Sequence, residues 1–267
     1  MQNNLNKFYE VKQCERIWAI GSVHGNIESL KKIHLNIFEK FNPKDTLIYL
    51  GNVIGVGEYS KEVLNEIINF RFSLLVKFNI NPDQVLFLRG AQEEMFLKLR
   101  EIQLSPNPKE ILVWMFNHGV DKTLISYGFE SSEIFDTCDL GTIALSKWTS
   151  RLNNYINSCK GHKEYFSHLI HAVFSSTKKI LFVNRGVDVS RPLSAQTDCF
   201  WWGYHGLPEI KTPYNSFTRI VRGYDPKKTG PSKNKIVCSL YKGSGFGNSI
   251  VAGIFSASGG IIDIFED

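Results

Sequence analysis

Five short apolar runs of this chain lead straight into turns that contain glycine. The turns are Gly21-Ser22-Val23-His24-Gly25, Gly51-Asn52-Val53-Ile54-Gly55-Val56-Gly57, Arg89-Gly90-Ala91-Gln92-Glu93, Asn184-Arg185-Gly186 and Arg222-Gly223-Tyr224-Asp225-Pro226. The runs before them, residues 16–20, 46–50, 84–88, 180–183 and 219–221, have the length and apolar content of buried strands. Ligands of open α/β sheets bind where the carboxyl ends of strands converge. Glycine at such ends lets the backbone come close to a ligand or take a left-handed conformation. A chain with five such junctions in order is constrained to a fold that gathers them on one side.

The intervening segments fit that frame. Ile27, Leu30, Ile33, Ile37, Phe38 and Phe41 recur at helical spacing until Asn42-Pro43 stops them, and Val63, Leu64, Ile67 and Ile68 mark a second helix. A third is expected over about 92–100. Strands alternating with helices predict right-handed βαβ units and a mostly parallel sheet. The middle, about 107–177, shows no strand pattern, and 111–117 and 145–156 read as helices, so a helical insert is expected there. Strands resume at 180, and the last three, 236–238, 250–255 and 261–265, follow one another too closely for helices and are expected to be antiparallel. The fold class is therefore α/β, and 1–267 reads as a single domain.

Charge narrows the partners. The 267 residues hold 31 Lys and Arg against 26 Asp and Glu, a formal charge of +5. That surplus is too small for a nucleic-acid footprint but suits an anionic small molecule or a phosphorylated surface. No apolar window has the length of a membrane span, and the first sixteen residues lack the apolar core of a secretory signal. The five cysteines contain no C-x-x-C pair, so neither a disulfide framework nor a thiolate zinc site is suggested. A cytoplasmic protein is expected.

The ordered turns resemble the motifs of the metal-dependent phosphoprotein phosphatases, within the calcineurin-like metallophosphoesterases: G-D-x-H-G, G-D-x-x-D-R-G, R-G-N-H-E, a V-H-A-G type segment and G-H-T-P. The resemblance runs from about 16 to 265 and includes Glu93-Glu94-Met95-Phe96, Thr123-Leu124-Ile125-Ser126-Tyr127-Gly128 and Arg191-Pro192-Leu193-Ser194-Ala195-Gln196. It implies a two-sheet β-sandwich flanked by helices, of bacterial phosphatase type, with two divalent metals that activate water and neutralise phosphoryl oxygens.

The positions that would carry that chemistry have changed. Ser22 stands at the first motif's carboxylate, His24 remains, and Asn52 replaces the bridging aspartate. Ala91 replaces the third motif's asparagine, while Asn184 and Tyr224 stand at the histidines of the last two motifs. Gln92 replaces the general-acid histidine and cannot donate its proton to a leaving group. Gly55, Val56 and Gly203 stand where a supporting aspartate and two phosphate-gripping arginines are expected. The resemblance thus implies a phosphatase fold used for binding or regulation, with no catalytic residues and no cofactor. One alternative is a surviving phosphoesterase with a reduced Mn or Fe/Zn site at His24, Asn52 and Asn184. Another is a surface interaction module that needs no crevice.

Arg89, Arg185 and Arg222 stand beside the altered positions. Arginine forks bind phosphate or carboxylate without a metal, so an arginine-lined anion site is expected, for a phosphorylated small molecule or phosphoprotein. The competing reading pairs these arginines with Asp188, Asp225 or Glu93. His162, His168 and His171 read as a helical histidine group better suited to surface or core than to metal. Gly243-Ser244-Gly245-Phe246-Gly247 lacks the lysine of a phosphate-binding loop and reads as a lengthened turn.

Overall fold

Every side chain in segments 17–20 and 46–49 is buried, as strands covered on both faces require. The computed structural model describes residues 7–12, 14–203, 210–231 and 235–267. Its strands in chain order are β1 (Phe8–Val11), β2 (Ile17–Ile20), β3 (Thr46–Tyr49), β4 (Val85–Phe87), β5 (Ala172–Ser175), β6 (Ile180–Val183), β7 (Arg219–Arg222), β8 (Val237–Ser239), β9 (Val251–Phe255) and β10 (Ile261–Glu266). They form two five-stranded sheets, ordered β10-β9-β2-β3-β4 and β1-β5-β6-β7-β8.

Alternation along β2 and β3 decides what each face covers. Ile17, Ala19 and Ile48 point between the sheets, where they join Phe182, Val221, Leu240 and Phe255. Trp18, Ile20, Leu47 and Tyr49 point the other way, under the helices α1 (Ile27–Lys40) and α2 (Ser60–Phe78). Asn26 caps α1 by accepting from the Ser29 amide at 3.3 Å, and Glu28 and Lys40 sit at the ends that suit their charges. Helix α3 (Ala91–Leu99) follows β4. The expected helical insert is α4 (Pro108–Asn117), α5 (Val120–Ser126), α6 (Ser131–Asp139), α7 (Thr142–Ser158) and α8 (His162–Ser167), and a short α9 (Cys199–Trp202) comes later. No helix among the described residues is long and apolar enough to cross a membrane.

Two expectations need correction. The segment 107–177 does contain a strand, β5, which pairs in parallel with β1 and antiparallel with β6. Its four residues follow the insert directly and are too few to show alternation. The last three strands are not mutually antiparallel: β8 runs parallel to β7 in one sheet, while β9 and β10 pair antiparallel in the other. The chain crosses between sheets after β8, and loop length does not reveal such a crossing. β1 was not anticipated at all.

The sheets touch at their carboxyl ends, which explains two of the glycines. A Cβ on Gly21 would lie 1.8 Å from the Leu240 carbonyl oxygen, and one on Gly223 would lie 2.4 Å from the Leu50 Cβ. Ser22 N donates to Gly223 O at 2.9 Å across the same junction. Gly21→Ala must therefore push the sheets apart. We expect it to cost about 3 kcal/mol, the upper end for overpacking, and to lower Tm by roughly 6–12 °C in thermal melts.

Candidate functional site

Hydrogen bonds tie the five glycine turns into one cluster. Val23 N and His24 N donate to Asn52 O at 3.0 and 2.9 Å, joining the first turn to the second. Gln92 N donates to Asn52 Oδ1 at 3.0 Å, joining the second to the third. Asn184 Nδ2 reaches Leu50 O at 2.7 Å, and Tyr224 N donates to Asn184 O at 2.8 Å, bringing in the last two. Ser22, His24, Asn52, Gln92, Asn184 and Tyr224 thus lie in turns that the fold brings together.

Glu93 fixes this cluster from beneath. Its carboxylate is fully buried and accepts from the amides of Asn52 (2.8 Å), Val53 (2.8 Å) and Gly90 (3.0 Å). Burial pushes its pKa up, and the amides of Asn52, Val53 and Gly90 pull against that rise. From the sequence Glu93 is expected only as a partner for arginine; its position in the third motif, next to a turn whose amides no strand ladder accepts, is the signal for this second role.

Three non-glycine residues in these turns hold left-handed backbone: His24 (φ 51°), Asn52 (φ 53°) and Val56 (φ 63°). For β-branched Val56 that conformation is strained, and it is held by Val56 N donating to Gly119 O at 3.1 Å. Strain of this kind persists where surrounding structure fixes it.

The space beside two of the glycines is filled by neighbours. A Cβ on Gly55 would lie 2.0 Å from Gln92 Oε1, so Gln92 occupies the space a residue-55 side chain would take. Gln92 Nε2 also donates to His118 O at 2.8 Å, which locks it to the α4–α5 turn. A Cβ on Gly203 would lie 2.7 Å from Arg185 Nε, so the Arg185 guanidinium fills that place in the same way. Gly203 itself has φ 75°, which disfavours any side chain there.

His24 is closed in by rings. The centroids of Tyr224 and Tyr241 each lie 5.8 Å from its ring and that of Phe246 lies 6.3 Å away. The turn 243–247 presses down on it: a Cβ on Gly245 would meet His24 Cβ at 2.5 Å, and Ser244 Oγ donates to Val23 O at 2.9 Å. Burial drives the His24 pKa down to about 3, so its imidazole is neutral. The lengthened turn is therefore a cover over the first motif, a placement its composition did not show.

This donor set does not suit a pair of divalent cations. The Asn52 amide oxygen is engaged by Gln92 N, Ala91 has no donor atom, Tyr224 offers its ring to His24, and no carboxylate bridges the centre. Two hard dications need anionic oxygen between them. Among the described residues, no three His, Cys, Asp or Glu side chains gather as a metal site.

The arginines divide. Arg89 pairs with Glu94 at 2.9 Å, not with Glu93, and stands 5.6 Å from the Trp201 ring. Arg222 pairs with Asp225 at 2.6 Å. Burial alone would raise the Asp225 carboxyl, but the Thr229 hydroxyl, Arg222 and the Lys227 amide hold it below its usual range. Burial, reinforced by the nearby Arg185, lowers the Arg222 pKa. Arg185 has no acidic partner among the described residues; its guanidinium lies 5.8 Å from the Tyr224 ring and its Nε is buried without a hydrogen bond.

The histidines of the insert do not form a group. His162 accepts from Tyr127 OH at 2.6 Å and bonds Asn65 Oδ1 at 2.9 Å in the core. His168 ends α8 against the Glu164 carbonyl, and His171 lies beyond the helix, 4.9 Å from the Trp201 ring. The expectation that all three share a helix is corrected: α8 stops at Ser167 because His168 caps it.

Two measurements test these assignments. Glu93→Gln turns an amide donor toward backbone donors and leaves buried N–H groups unpaired, which costs about 3 kcal/mol; calorimetric melts should show Tm lowered by roughly 6–12 °C. Burial lowers the pKa of both His162 and His171 to about 4. Between an ordinary value near 6.5 and that point the unfolded chain binds more protons. Stability should therefore fall as pH drops from about 6.5 toward 4, and His162→Gln should flatten the slope by about one proton.

Comparison with known proteins agrees with this architecture. No model of a protein family and no curated protein matches the sequence. Among solved structures, the chain is similar to a candidate diadenosine tetraphosphatase, at 13% identity over 98% of both chains with TM-score 0.55. It is likewise similar to the cold-active protein-tyrosine phosphatase of a psychrophilic Shewanella species, at 11% identity over 98% of this chain and 82% of the other, TM-score 0.54. At such identities the likeness concerns the fold. The chain has the fold of these proteins, a two-sheet sandwich flanked by helices, as its ordered motifs led us to expect.

Proposed function

We propose that this phosphatase-fold protein binds a phosphate-bearing anion without hydrolysing it through a dinuclear metal centre. The ligand is a phosphorylated small molecule or a phosphorylated protein segment, and the role is regulatory. The observation that carries this reading is Arg185. Among the described residues, a half-buried guanidinium with no acid beside it, next to a second arginine paired with Asp225, makes a cationic site short of one negative charge. An oxyanion would supply that charge and accept from the forks of both residues. Arg185 also stands against Gly203, where the resemblance expects a phosphate-gripping arginine, so a guanidinium reaches that place from the turn after β6.

The same residues give hydrolysis no chemical support. Gln92 has no proton to give a leaving group, and neutral His24 lies beneath three aromatic rings. Ser22 is not supported as an alternative nucleophile, since among the described residues no acid orients His24 and Ser22 Oγ makes no hydrogen bond.

Arg185→Ala is the informative variant because it leaves no carboxylate unpaired, whereas Arg222→Ala would orphan buried Asp225. In titration calorimetry with inorganic phosphate and phosphate esters, Arg185→Ala should bind roughly thirtyfold more weakly, the equivalent of about 2 kcal/mol for a charged hydrogen-bonded pair. Equal binding by the two proteins removes the anion site. Phosphatase turnover in added manganese that disappears in His24→Ala overturns the non-hydrolytic reading.

A further inference from the structure

Two open sheets have four edge strands, here β10, β4, β1 and β8. Three of them are covered or blunted. Beside β4, Ile170 N donates to Phe87 O at 3.0 Å and Arg89 N donates to Ile170 O at 2.8 Å, so its outer edge is taken. β10 has a register shift between Ile261 and Asp263, and its charged residues, Asp263 and Glu266, are both acids. β8 is only three residues long. β1 has none of these protections. It pairs with β5 over four residues without a shift, and a groove of about 950 Å³ lies along it, walled on the far side by Pro43, Lys44, Asn81 and Asp83. An edge left bare in this way recruits another strand.

The ladder to β5 shows which groups are bare. Lys7 O accepts from His171 N at 2.8 Å, and Val11 O accepts from Ser176 N at 3.0 Å. Residues of a strand alternate in direction, so Tyr9 turns the same way while the N–H and C=O of Phe8 and Glu10 point out from the edge. Lys12 continues the side-chain face of Glu10, and its carbonyl accepts from Ser176 Oγ at 3.1 Å, which holds it beside the end of β5.

The charges along this edge are unmatched within the chain. Elsewhere in the groove, Glu15 pairs with Lys44 at 2.9 Å and Tyr9 OH donates to Asp83 at 2.7 Å. Glu10 and Lys12 are exposed, and among the described residues their side chains make no ion pair or hydrogen bond. They stand two residues apart on one face with opposite signs. Two such strands laid antiparallel about a two-fold axis at Val11 bring each Glu10 opposite Lys12 of the partner subunit. Moving the axis to residue 10 would oppose two carboxylates, and moving it to residue 12 would oppose two ammonium groups. Cross-strand pairs of opposite charge stabilise and like pairs destabilise, so the signs select one register. The same surface serves both copies, as a two-fold interface requires.

We propose that β1 is a self-association edge, on which a second copy of this chain pairs its own β1 antiparallel about Val11. The two five-stranded sheets that contain β1 then form one continuous ten-stranded sheet, and the Glu10–Lys12 pairs set its register.

Sedimentation equilibrium of the full chain measures the association, with thermal melts as the check on folding. The unaltered chain should be dimeric in the micromolar range. Glu10→Lys and Lys12→Glu each place like charges opposite one another at both pairs, and each should raise Kd about tenfold. Both residues are exposed, so Tm of the monomer should not change. The double variant Glu10→Lys/Lys12→Glu restores opposite signs in exchanged places and should return Kd to within about threefold of the unaltered chain. A chain that stays monomeric throughout the micromolar range overturns the proposal. So does a dimer indifferent to both single reversals, or a double reversal that associates no better than the single ones.

Discussion

The buried carboxylate of Glu93 is the contact on which the arrangement of turns depends. It sits on the first turn of α3, in the third motif, and takes amide protons from the second motif at Asn52 and Val53. A tight turn after a parallel strand leaves amides that no ladder accepts, and buried amides without acceptors are costly. One anion satisfies several at once. Because it does so from a helix on the neighbouring βα unit, it also sets the distance between the two turns. Asn52 can then be reached by Gln92 N on one side and by His24 N on the other. The side chains that face the crevice do not supply this support, which comes from the Glu93 carboxylate.

The space above this support is closely filled. Residues at 55 and 203 are glycines, and in each case a longer side chain from another turn lies in the room they leave, Gln92 in the first and Arg185 in the second. Tyr224, Tyr241 and Phe246 surround His24. Packing at interior density leaves few voids. The surroundings are mostly aromatic near His24 and cationic near Gly203, so the two ends of the cluster differ in chemistry.

Much of the frame was legible in the sequence because it rests on local signals. The runs before Gly21, Gly51 and Gly90 were strands, and α1 follows the apolar spacing that begins at Ile27. β1 escaped because Phe8 and Tyr9 beside Glu10 and Val11 make neither an alternation nor an apolar run, and its partner lies some 160 residues away. The direction of β8 escaped because pairing across sheets is a property of topology, which loop length does not encode. At the site, the convergence of the five turns could be read from their order. The pairing of Arg89 with Glu94 and the cover over His24 could not, since each depends on which of several nearby side chains arrives first in three dimensions.

The strand order has a consequence for how such a chain reaches its native state. The sheet ordered β10-β9-β2-β3-β4 needs β9, whose partner β2 lies at the other end of the chain, and the second sheet needs β1 alongside β5. Four strands of the second sheet lie wholly within the interval that separates β4 from β9. A ribosome releasing this chain from its amino end therefore presents β2, β3 and β4 for most of the synthesis with one edge bare, the edge on which β9 will sit. Parallel strands with distant partners form slowly, and an open edge of apolar strands invites pairing with another chain. Neither half of the molecule holds a complete sheet, so splitting the chain at the insert would give two pieces that each lack a strand the other owns.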